Sequence, residues 1–242
     1  PMIIDAHIHA GHSDTLTHSY NTFEDIEVSL SRMDQVGIGK AVVLPIGSTG
    51  FERTNREMAQ IVQAHPDRLY GFAKVSQTED AGRVEPMLRE AFEALHLRGL
   101  KLHGHPNREI MEVMDRYRKP VLADVRGAVY NLRYAAESYP RVPIIVAHMG
   151  KFCCFETEVR VMTLWLARRY PNVYFDTSSV MDHESLELAV AEGLAHKMIF
   201  GSDGPGLHCG VELARVQCLP LTDEQRELVL HANIEKLLGE AG

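Results

Sequence analysis

The feature that most constrains the fold of this chain is a regular alternation of short apolar runs with longer stretches of helical period. The apolar runs are rich in Val, Ile, Leu and Phe, which is typical of buried strands. Their starts lie 21 to 38 residues apart, a spacing that accommodates one strand, one helix and two loops in each unit. The eight candidate strands are Met2–His9, Lys40–Ile46, Leu69–Val75, Gly99–His103, Pro120–Val125, Pro143–His148, Asn172–Thr177 and Lys197–Asp203.

The segments between these runs are predicted to be helices. The named candidates are Phe23–Val36, Arg83–Leu97, Glu156–Tyr170, Glu184–Glu192, Asp223–Leu230 and Asn233–Leu238. Eight βα units in one chain of this length predict the α/β class and a (β/α)8 TIM barrel, as a single domain over residues 2–242. The alternative is a doubly wound open sheet. That fold predicts a GxGxxG turn after the first strand, and none follows His9.

Composition excludes several kinds of partner. The net charge is −8 and the chain has no basic run, so neither nucleic acid nor an anionic membrane surface is expected to bind. No apolar run approaches the roughly 18 to 20 residues that span a bilayer. The four cysteines form no CxxC pair and the start has no secretory pattern, which predicts reduced thiols and a cytoplasmic protein. A small-molecule substrate is the expected partner, and assembly into a homo-oligomer stays open.

The placement of the 13 histidines is informative, because histidine is the commonest metal ligand and the usual acid–base group near neutral pH. His7 and His9 lie two residues apart at the end of the first candidate strand. Their side chains therefore point the same way, about 6.5 to 7 Å apart. Two imidazoles in this arrangement can bind one ion with bonds of about 2.0 to 2.1 Å. The pattern alone is also compatible with a buried, hydrogen-bonded histidine pair.

Five candidate strands end in ionisable residues that alternation predicts to lie on one common face. These predicted faces are Ile3, Asp5, His7 and His9; Lys101, His103 and, in a longer strand, His105; Leu122 and Asp124; Ile144, Val146 and His148; and Ile199, Gly201 and Asp203. Burying so many ionisable groups is costly unless they are paired or bind a cation. In a barrel, the carboxyl ends of the strands form the active site.

Each of these residues also has an ordinary structural interpretation. His148 is then a core histidine bonded to the backbone, Asp203 a helix cap or turn residue, and Lys101 a surface lysine. In the functional interpretation, Asp203 touches an ion and takes a proton from its bound water, while Lys101 binds a substrate carboxylate or Asp124. Three residues just past strand ends are candidates for binding an anionic substrate, with solvated loop charges as the alternative: Arg126, Lys151 and His208.

The ordered set of motifs resembles the amidohydrolase superfamily. The closer resemblance is to its amidohydrolase-related family, which includes aminocarboxymuconate semialdehyde decarboxylase, resorcylate-type decarboxylases and pyrone dicarboxylate lactonase. The matching segments are Ile4–His9, His65–Ala73, Gly99–His103, Pro143–Gly150, Tyr170–Ser178, Phe200–Pro205 and Ala232–Leu238. This resemblance implies that His7 and His9 are metal ligands and that Asp203 binds metal and shuttles protons. It also implies that His148 acts on the water or substrate beside the metal.

One departure from the family pattern concerns the fifth candidate strand. The family usually has Pro-Val-x-x-His there, with the histidine as a metal ligand, whereas this chain has Asp124 in that position. Three interpretations stay open: Asp124 is an oxygen ligand, His148 or His103 moves into the coordination shell, or the site binds metal weakly. Some family members work without metal, so metal-free function also stays open.

These observations predict a hydrolase that depends on one divalent metal ion, Zn²⁺ first and Mn²⁺ second. The predicted substrate is a small lactone, cyclic amide or related carboxylic acid derivative. Predicted metal ligands are His7, His9 and Asp203, with His148 or Asp124 completing the shell, and predicted catalytic residues are Asp203, His148, Lys101 and His103. The alternatives are a lyase that decarboxylates or hydrates a similar acid at the same site, and a degenerate barrel without catalysis.

Overall fold

The computed structural model describes residues 2–13, 23–47 and 50–239. Nine strands of these residues form one sheet, and eight of the nine run parallel to their neighbours. The two-residue strand β2 pairs antiparallel with the end of β1. The strands are β1 Ile4–His12, β2 Phe23–Glu24, β3 Lys40–Pro45, β4 Leu69–Lys74, β5 Gly99–His103, β6 Val121–Asp124, β7 Ile144–Val146, β8 Val173–Asp176 and β9 Met198–Ile199.

Hydrogen bonds between β1 and the segment after β9 close this sheet. The order within it is β2-β1-β3-β4-β5-β6-β7-β8-β9. The backbone N–H of Ala6 donates to Phe200 O at 2.9 Å, and that of His9 donates to Gly204 O at 2.7 Å. The predicted (β/α)8 barrel is therefore confirmed, and the open-sheet alternative is wrong.

Helices follow the parallel strands. They are α1 Ile26–Val36, α2 Phe51–Ala64, α3 Val84–Arg89, α4 Arg108–Tyr117, α5 Leu132–Ser138, α6 Thr157–Arg169, α7 His183–Ala191, α8 Cys209–Gln217, α9 Asp223–Glu227 and α10 Asn233–Leu238. The first helix begins at Ile26 rather than at the predicted Phe23, because the Asp25 side chain caps it by accepting the backbone N–H of Glu27. Gly37 ends it in a left-handed conformation, as predicted.

Two apolar clusters fill the molecule. One joins outward-facing strand residues to the surrounding helices. The other consists mainly of inward-facing strand residues, with Ile234, Leu237 and Leu238 of α10. Alternate residues of each strand enter different clusters: Leu122 belongs to the inner cluster, and its neighbours Val121 and Ala123 belong to the outer one. This alternation decides which side chains reach the interior of the barrel.

Two of the predicted strand faces are wrong. The register of β1 against β3 shifts between Asp5 and Ile8, so Ile3 lies in the outer cluster although His7 and His9 face inward. Ile144 and Val146 likewise lie in the outer cluster.

His148 reaches the interior by another route, because β7 ends at Val146 and His148 adopts a left-handed conformation with φ of 58°. A bulge or a left-handed turn changes the face of the following residue, and strict alternation takes neither into account.

The barrel accounts for the described residues from Ile4 to Leu238. Residues 14–22, 48–49 and 240–242 lie outside the described part, so a single domain over 2–242 stays a prediction. Among the helices described, none combines the length and the apolar character that crossing a membrane requires.

Candidate active site

Two imidazoles and a carboxylate converge where β1 ends beside the segment after β9. Oδ1 of Asp203 lies 3.3 Å from Nε2 of His7 and 3.0 Å from Nε2 of His9. Gly201 permits this approach, because a Cβ at that position would lie 2.9 Å from the Cβ of His7. The three side chains offer ligand atoms that lie within 4.8 Å of one another. Two nitrogens and one carboxylate oxygen are a donor set that a divalent transition metal binds, so the residues fit such an ion.

A second carboxylate, which the sequence analysis did not single out, orients His7. Oδ2 of Asp176, at the end of β8, lies 2.7 Å from Nδ1 of His7. The other oxygen, Oδ1, accepts the backbone N–H of His148 at 2.8 Å and the hydroxyl of Ser178 at 2.7 Å. Because Nδ1 of His7 donates to Asp176, its Nε2 carries a lone pair and no proton on the side where Asp203 lies. This is the outer-shell arrangement that fixes a ligating histidine.

His148 lies directly against this cluster. Its ring stacks on that of His7, with 5.0 Å between the ring centroids, and it forms a second metal-capable group with His7 and Asp176. Its Nδ1 lies 2.9 Å from Oγ of Ser178 and 3.1 Å from Oγ of Ser179. The imidazole is therefore fixed in the wall of the cavity.

A buried arginine holds the turn that carries His148. The guanidinium of Arg160, on α6, donates to the carbonyl oxygens of His148, of Met149 at 3.0 Å and of Cys154 at 2.9 Å. Its Nε donates to Oδ1 of Asp182 at 3.2 Å. Since His148 and Met149 are both left-handed, which costs free energy in residues other than glycine, this contact offsets local strain.

Two buried lysines face the same cavity from neighbouring strands. Nζ of Lys101, a predicted site residue on β5, lies 3.1 Å from Nε2 of His7. Lys74, on β4, is its register partner, and sequence analysis did not identify it. Nζ of Lys74 donates to the carbonyl of Ile46 at 3.3 Å. Burial lowers the pKa of both amines; for Lys74, burial and then the charge of Lys101 bring the pKa to about 7.

The ionisation states of the cluster suit metal binding. Burial lowers the pKa of both His7 and His9, so both imidazoles are neutral at neutral pH. Burial alone would raise the pKa of the two carboxyls, but the interactions of Asp176 with His7, His148 and Ser178, and of Asp203 with His7, His9 and His148, outweigh it. The pKa of Asp176 is held at about 2, and that of Asp203 lies well below its ordinary range. For His148, burial and then His7 lower the pKa to about 4. Neutral imidazoles and ionised carboxylates are the forms that bind metal.

Four further predicted residues line the same cavity: His103, Asp124, Arg126 and Lys151. Nε2 of His103 lies 4.0 Å from Oδ2 of Asp124, and burial lowers the pKa of this histidine. Neither residue belongs to the metal-capable groups found among the described residues. That Asp124 is a metal ligand, or that His103 enters the shell, stays a prediction.

The structure does not bring His208 to the cavity. Its side chain caps α8, where Nδ1 accepts the backbone N–H of Gly210 at 3.2 Å, and it is not among the described lining residues. A substrate contact of His208 is therefore a prediction that the geometry does not support. His105 does not share the inward face of Lys101 either, because β5 ends at His103 and Nε2 of His105 lies 2.7 Å from the carbonyl oxygen of Ala128.

The cavity has a volume of about 860 Å³ and lies at the carboxyl ends of the strands. Its inner wall carries His9, His148 and Asp203, and Phe51 and Phe152 contribute apolar surface. This size suits a small molecule. A (β/α)8 barrel with histidines and carboxylates at these strand ends has the architecture of the TIM-barrel enzymes.

The chain belongs to the amidohydrolase family Amidohydro_2, whose family model matches residues 4–239. The resemblance identified from the motifs is therefore confirmed, and the match covers nearly the whole chain. No curated protein matches the sequence.

Solved structures of low sequence identity share the fold. The 2,6-dihydroxybenzoate decarboxylase from Rhizobium has a TM-score of 0.79 at 17% identity, over 100% of this chain and 99% of its own. A probable 2-pyrone-4,6-dicarboxylic acid hydrolase from Acinetobacter baumannii has a TM-score of 0.77 at 17% identity, over 99% of this chain and 100% of its own. The 4-oxalomesaconate hydratase from Rhodopseudomonas palustris has a TM-score of 0.72 at 18% identity, over 99% of this chain and 96% of its own.

Proposed function

We propose that this protein is a hydrolase that uses one divalent metal ion, Zn²⁺ or alternatively Mn²⁺, to cleave a small lactone, cyclic amide or related carboxylic acid derivative. The observation that carries the proposal is the convergence of His7 Nε2, His9 Nε2 and Asp203 Oδ1 in the cavity. Two imidazole nitrogens and a carboxylate oxygen match the ligand preference of Zn²⁺. When bound, such an ion lowers the pKa of water from 15.7 to about 7 and so supplies a nucleophile at neutral pH.

Asp203 and His148 are the residues proposed to move protons. The carboxylate of Asp203 is ionised at neutral pH and can accept a proton from the attacking water at an oxygen, then return it to the leaving group. His148 is neutral at this pH and lies against His7, so it is the second candidate acceptor. Both groups line the cavity and lie against His7.

Lys101 and Arg126 are proposed to act on the substrate. Nζ of Lys101 lies 3.1 Å from Nε2 of His7, so the amine can donate a hydrogen bond to the oxygen of a carbonyl group whose carbon is attacked beside that histidine. A donor fixed at this place stabilises the negative charge that develops on that oxygen. Arg126 is exposed and lines the cavity, where it can bind a carboxylate of the incoming substrate.

A lyase that decarboxylates or hydrates a related acid is the second candidate. The observation that favours it is the shared fold with a decarboxylase and a hydratase, because one barrel supports several chemistries. In a decarboxylation, Asp203 or His148 would have to deliver a proton to the carbon from which carbon dioxide leaves.

The test is metal-dependent turnover in isotopically labelled water. Protein stripped by a chelator and reloaded with Zn²⁺ or Mn²⁺ is assayed against lactones, cyclic amides and aromatic acids. We expect activity only in the reloaded protein, with solvent oxygen in the product carboxylate. Carbon dioxide without solvent oxygen in the product would assign a decarboxylase, and solvent oxygen in a new hydroxyl group with no bond cleaved would assign a hydratase. No turnover and no bound ion would favour the degenerate barrel.

A pair of histidine variants makes this test specific. His9→Asn removes one proposed ligand, and we expect it to lose the metal-restored activity. His65→Asn is the matched control, because Nε2 of His65 pairs with Glu27 at 3.1 Å and the residue is not among the described cavity-lining residues. Equal metal-restored activity in the two variants would contradict the assignment of His9.

A further inference from the structure

We infer that Lys74 binds an acidic group of the substrate, so that the substrate carries a carboxylate separate from the bond that is cleaved. The inference rests on the proposed function, which places the cleaved bond beside His7, His9 and Asp203. It adds Lys74 as a residue that determines specificity in a part of the cavity away from these three side chains. It also narrows the substrate to a dicarboxylate, or to a lactone or cyclic amide that carries an acid.

The first support is that Lys74 is deeply buried without an acidic partner. Only 2% of the residue is exposed, yet it lines the cavity. Its Nζ donates to the carbonyl oxygen of Ile46, and no carboxylate oxygen of the described residues forms a salt bridge with it. A buried ammonium without an opposite charge is costly, so the site favours an anionic ligand that supplies one.

The second support is the charge around Lys74. Lys74 and Lys101 are register partners on adjacent parallel strands, so their side chains lie side by side on the inner face of the barrel. Arg126 borders the same cavity and, like Lys101, disfavours the protonated form of Lys74. Asp124 favours that form, although burial dominates. A carboxylate bound among the three cations would relieve their mutual repulsion.

The third support is the apolar surface beside the amine. Nζ of Lys74 lies 5.2 Å from the ring centroid of Phe51, and the side chain of Ile46 also lines the cavity. A small hydrated anion gains nothing from this surface. A carboxylate on a carbon skeleton can bury that skeleton against the ring while its oxygens meet the amine.

The backbone of Lys74 is held in place by hydrogen bonds, which suits a residue that binds substrate. The Asn55 side chain, on α2, donates to the carbonyl oxygen of Lys74 at 3.0 Å and accepts its N–H at 2.8 Å. These two bonds hold the end of β4 against the helix that also carries Phe51. These bonds therefore fix the position of the Lys74 amine relative to the Phe51 ring.

The experiment compares binding of glutarate with that of its monoamide, glutaramate, to the metal-loaded protein by calorimetry. We expect the wild type to bind the dicarboxylate about 10- to 100-fold more tightly, the range typical of a hydrogen bond to a charged group. Lys74→Met should abolish this preference, and Lys74→Arg should retain most of it. The preference persisting in Lys74→Met, or being absent from the wild type, would overturn the inference.

Lys197→Met is the matched control. Lys197 is also a buried lysine that donates to a carbonyl oxygen, that of Pro171, but it is not among the described residues that line the cavity. We expect this variant to bind both probes as the wild type does. Loss of the dicarboxylate preference in Lys197→Met would attribute the effect to general destabilisation and overturn the inference.

A second measurement needs no variant. Glutarate should protect Lys74 of the wild type from an amine-reactive reagent, as read by peptide mass spectrometry, whereas glutaramate should not. Equal modification with either probe would contradict the inference. The metal content of the same samples separates the two claims, because a preference for glutarate in protein that binds no metal would contradict the proposed function and leave the Lys74 site standing.

Discussion

Replacing Asp176 by asparagine tests whether the geometry around His7 prepares it to bind an ion. Asp176 accepts hydrogen bonds from His7 Nδ1, from the backbone N–H of His148, and from both the backbone N–H and the hydroxyl of Ser178. An asparagine keeps one acceptor oxygen and turns an NH2 group toward the donors on the other side. If that NH2 faces His7, the imidazole must accept at Nδ1 and carry its proton on Nε2, the atom that would bind the ion.

The expected result of Asp176→Asn is a loss of metal affinity of about 10- to 100-fold, the usual effect of removing the partner of a ligating histidine. That range corresponds to about 1.4 to 2.8 kcal/mol. The assay is competition with a chromophoric chelator at equilibrium. Asp80→Asn is the control, since Asp80 is a buried carboxylate that accepts the N–H of Ser76 and is not among the described cavity-lining residues. Unchanged affinity in Asp176→Asn would refute the orienting role.

Three further predictions follow from the buried charges. Lys74→Met should be more stable than the wild type at pH 6, because the wild type buries a charged amine there. The difference in the free energy of unfolding should shrink by about 1.4 kcal/mol per pH unit between pH 7 and 10.5, because the amine deprotonates near pH 7 in the folded state and near 10.5 in the unfolded state. Urea unfolding across this pH range measures the difference, and a constant value would contradict the prediction. Arg160→Met should lower the free energy of unfolding by on the order of 3 kcal/mol, because it removes the guanidinium's hydrogen bonds to buried carbonyl oxygens and its ion pair with Asp182. Arg168→Met should change it little, because Arg168, on the same helix, forms only an exposed pair with Glu192. Denaturant unfolding compares the two variants, and equal losses would contradict the prediction. Asp124→Ala should retain the metal content of the wild type by elemental analysis, because Asp124 lies outside both metal-capable groups, and reduced content would make it a ligand.

The fold could be predicted because strand and helix periods differ and recur. The predicted fold in turn placed the His7–His9 pair and Asp203 together, because the carboxyl ends of parallel strands meet at one rim of a barrel. The family resemblance then supplied roles that spacing alone leaves open. What alternation predicted correctly were the strands without irregularity, such as β5, where Lys101 and His103 share the inner face.

Backbone irregularities account for what sequence analysis could not place. The register shift in β1 and the left-handed turn at His148 depend on contacts with distant residues, including the bonds from Arg160. Asp5 illustrates this: its Oδ1 accepts the N–H groups of His7 and of Ser202, and burial raises its pKa to about 7. Asp5 thus joins β1 to the segment after β9 by hydrogen bonds, a role that cannot be predicted from the sequence pattern.

Asp176 and Lys74 were missed for a different reason, since a signal was present for each. Each closes an apolar strand with the same parity as an inward aromatic residue, Tyr174 for Asp176 and Phe72 for Lys74. Applying the parity rule to every strand would have placed both residues in the barrel interior. The rule alone would not have paired Asp176 with His7, because that contact spans 169 residues.

Equilibrium metal binding to the wild type and to Asp203→Ala tests the central claim most directly. Our account predicts one divalent ion per wild-type chain by elemental analysis, and far less in the variant under the same dialysis conditions. No stoichiometric ion in the wild type, or the same amount in both proteins, would contradict the assignment of His7, His9 and Asp203 as a metal centre.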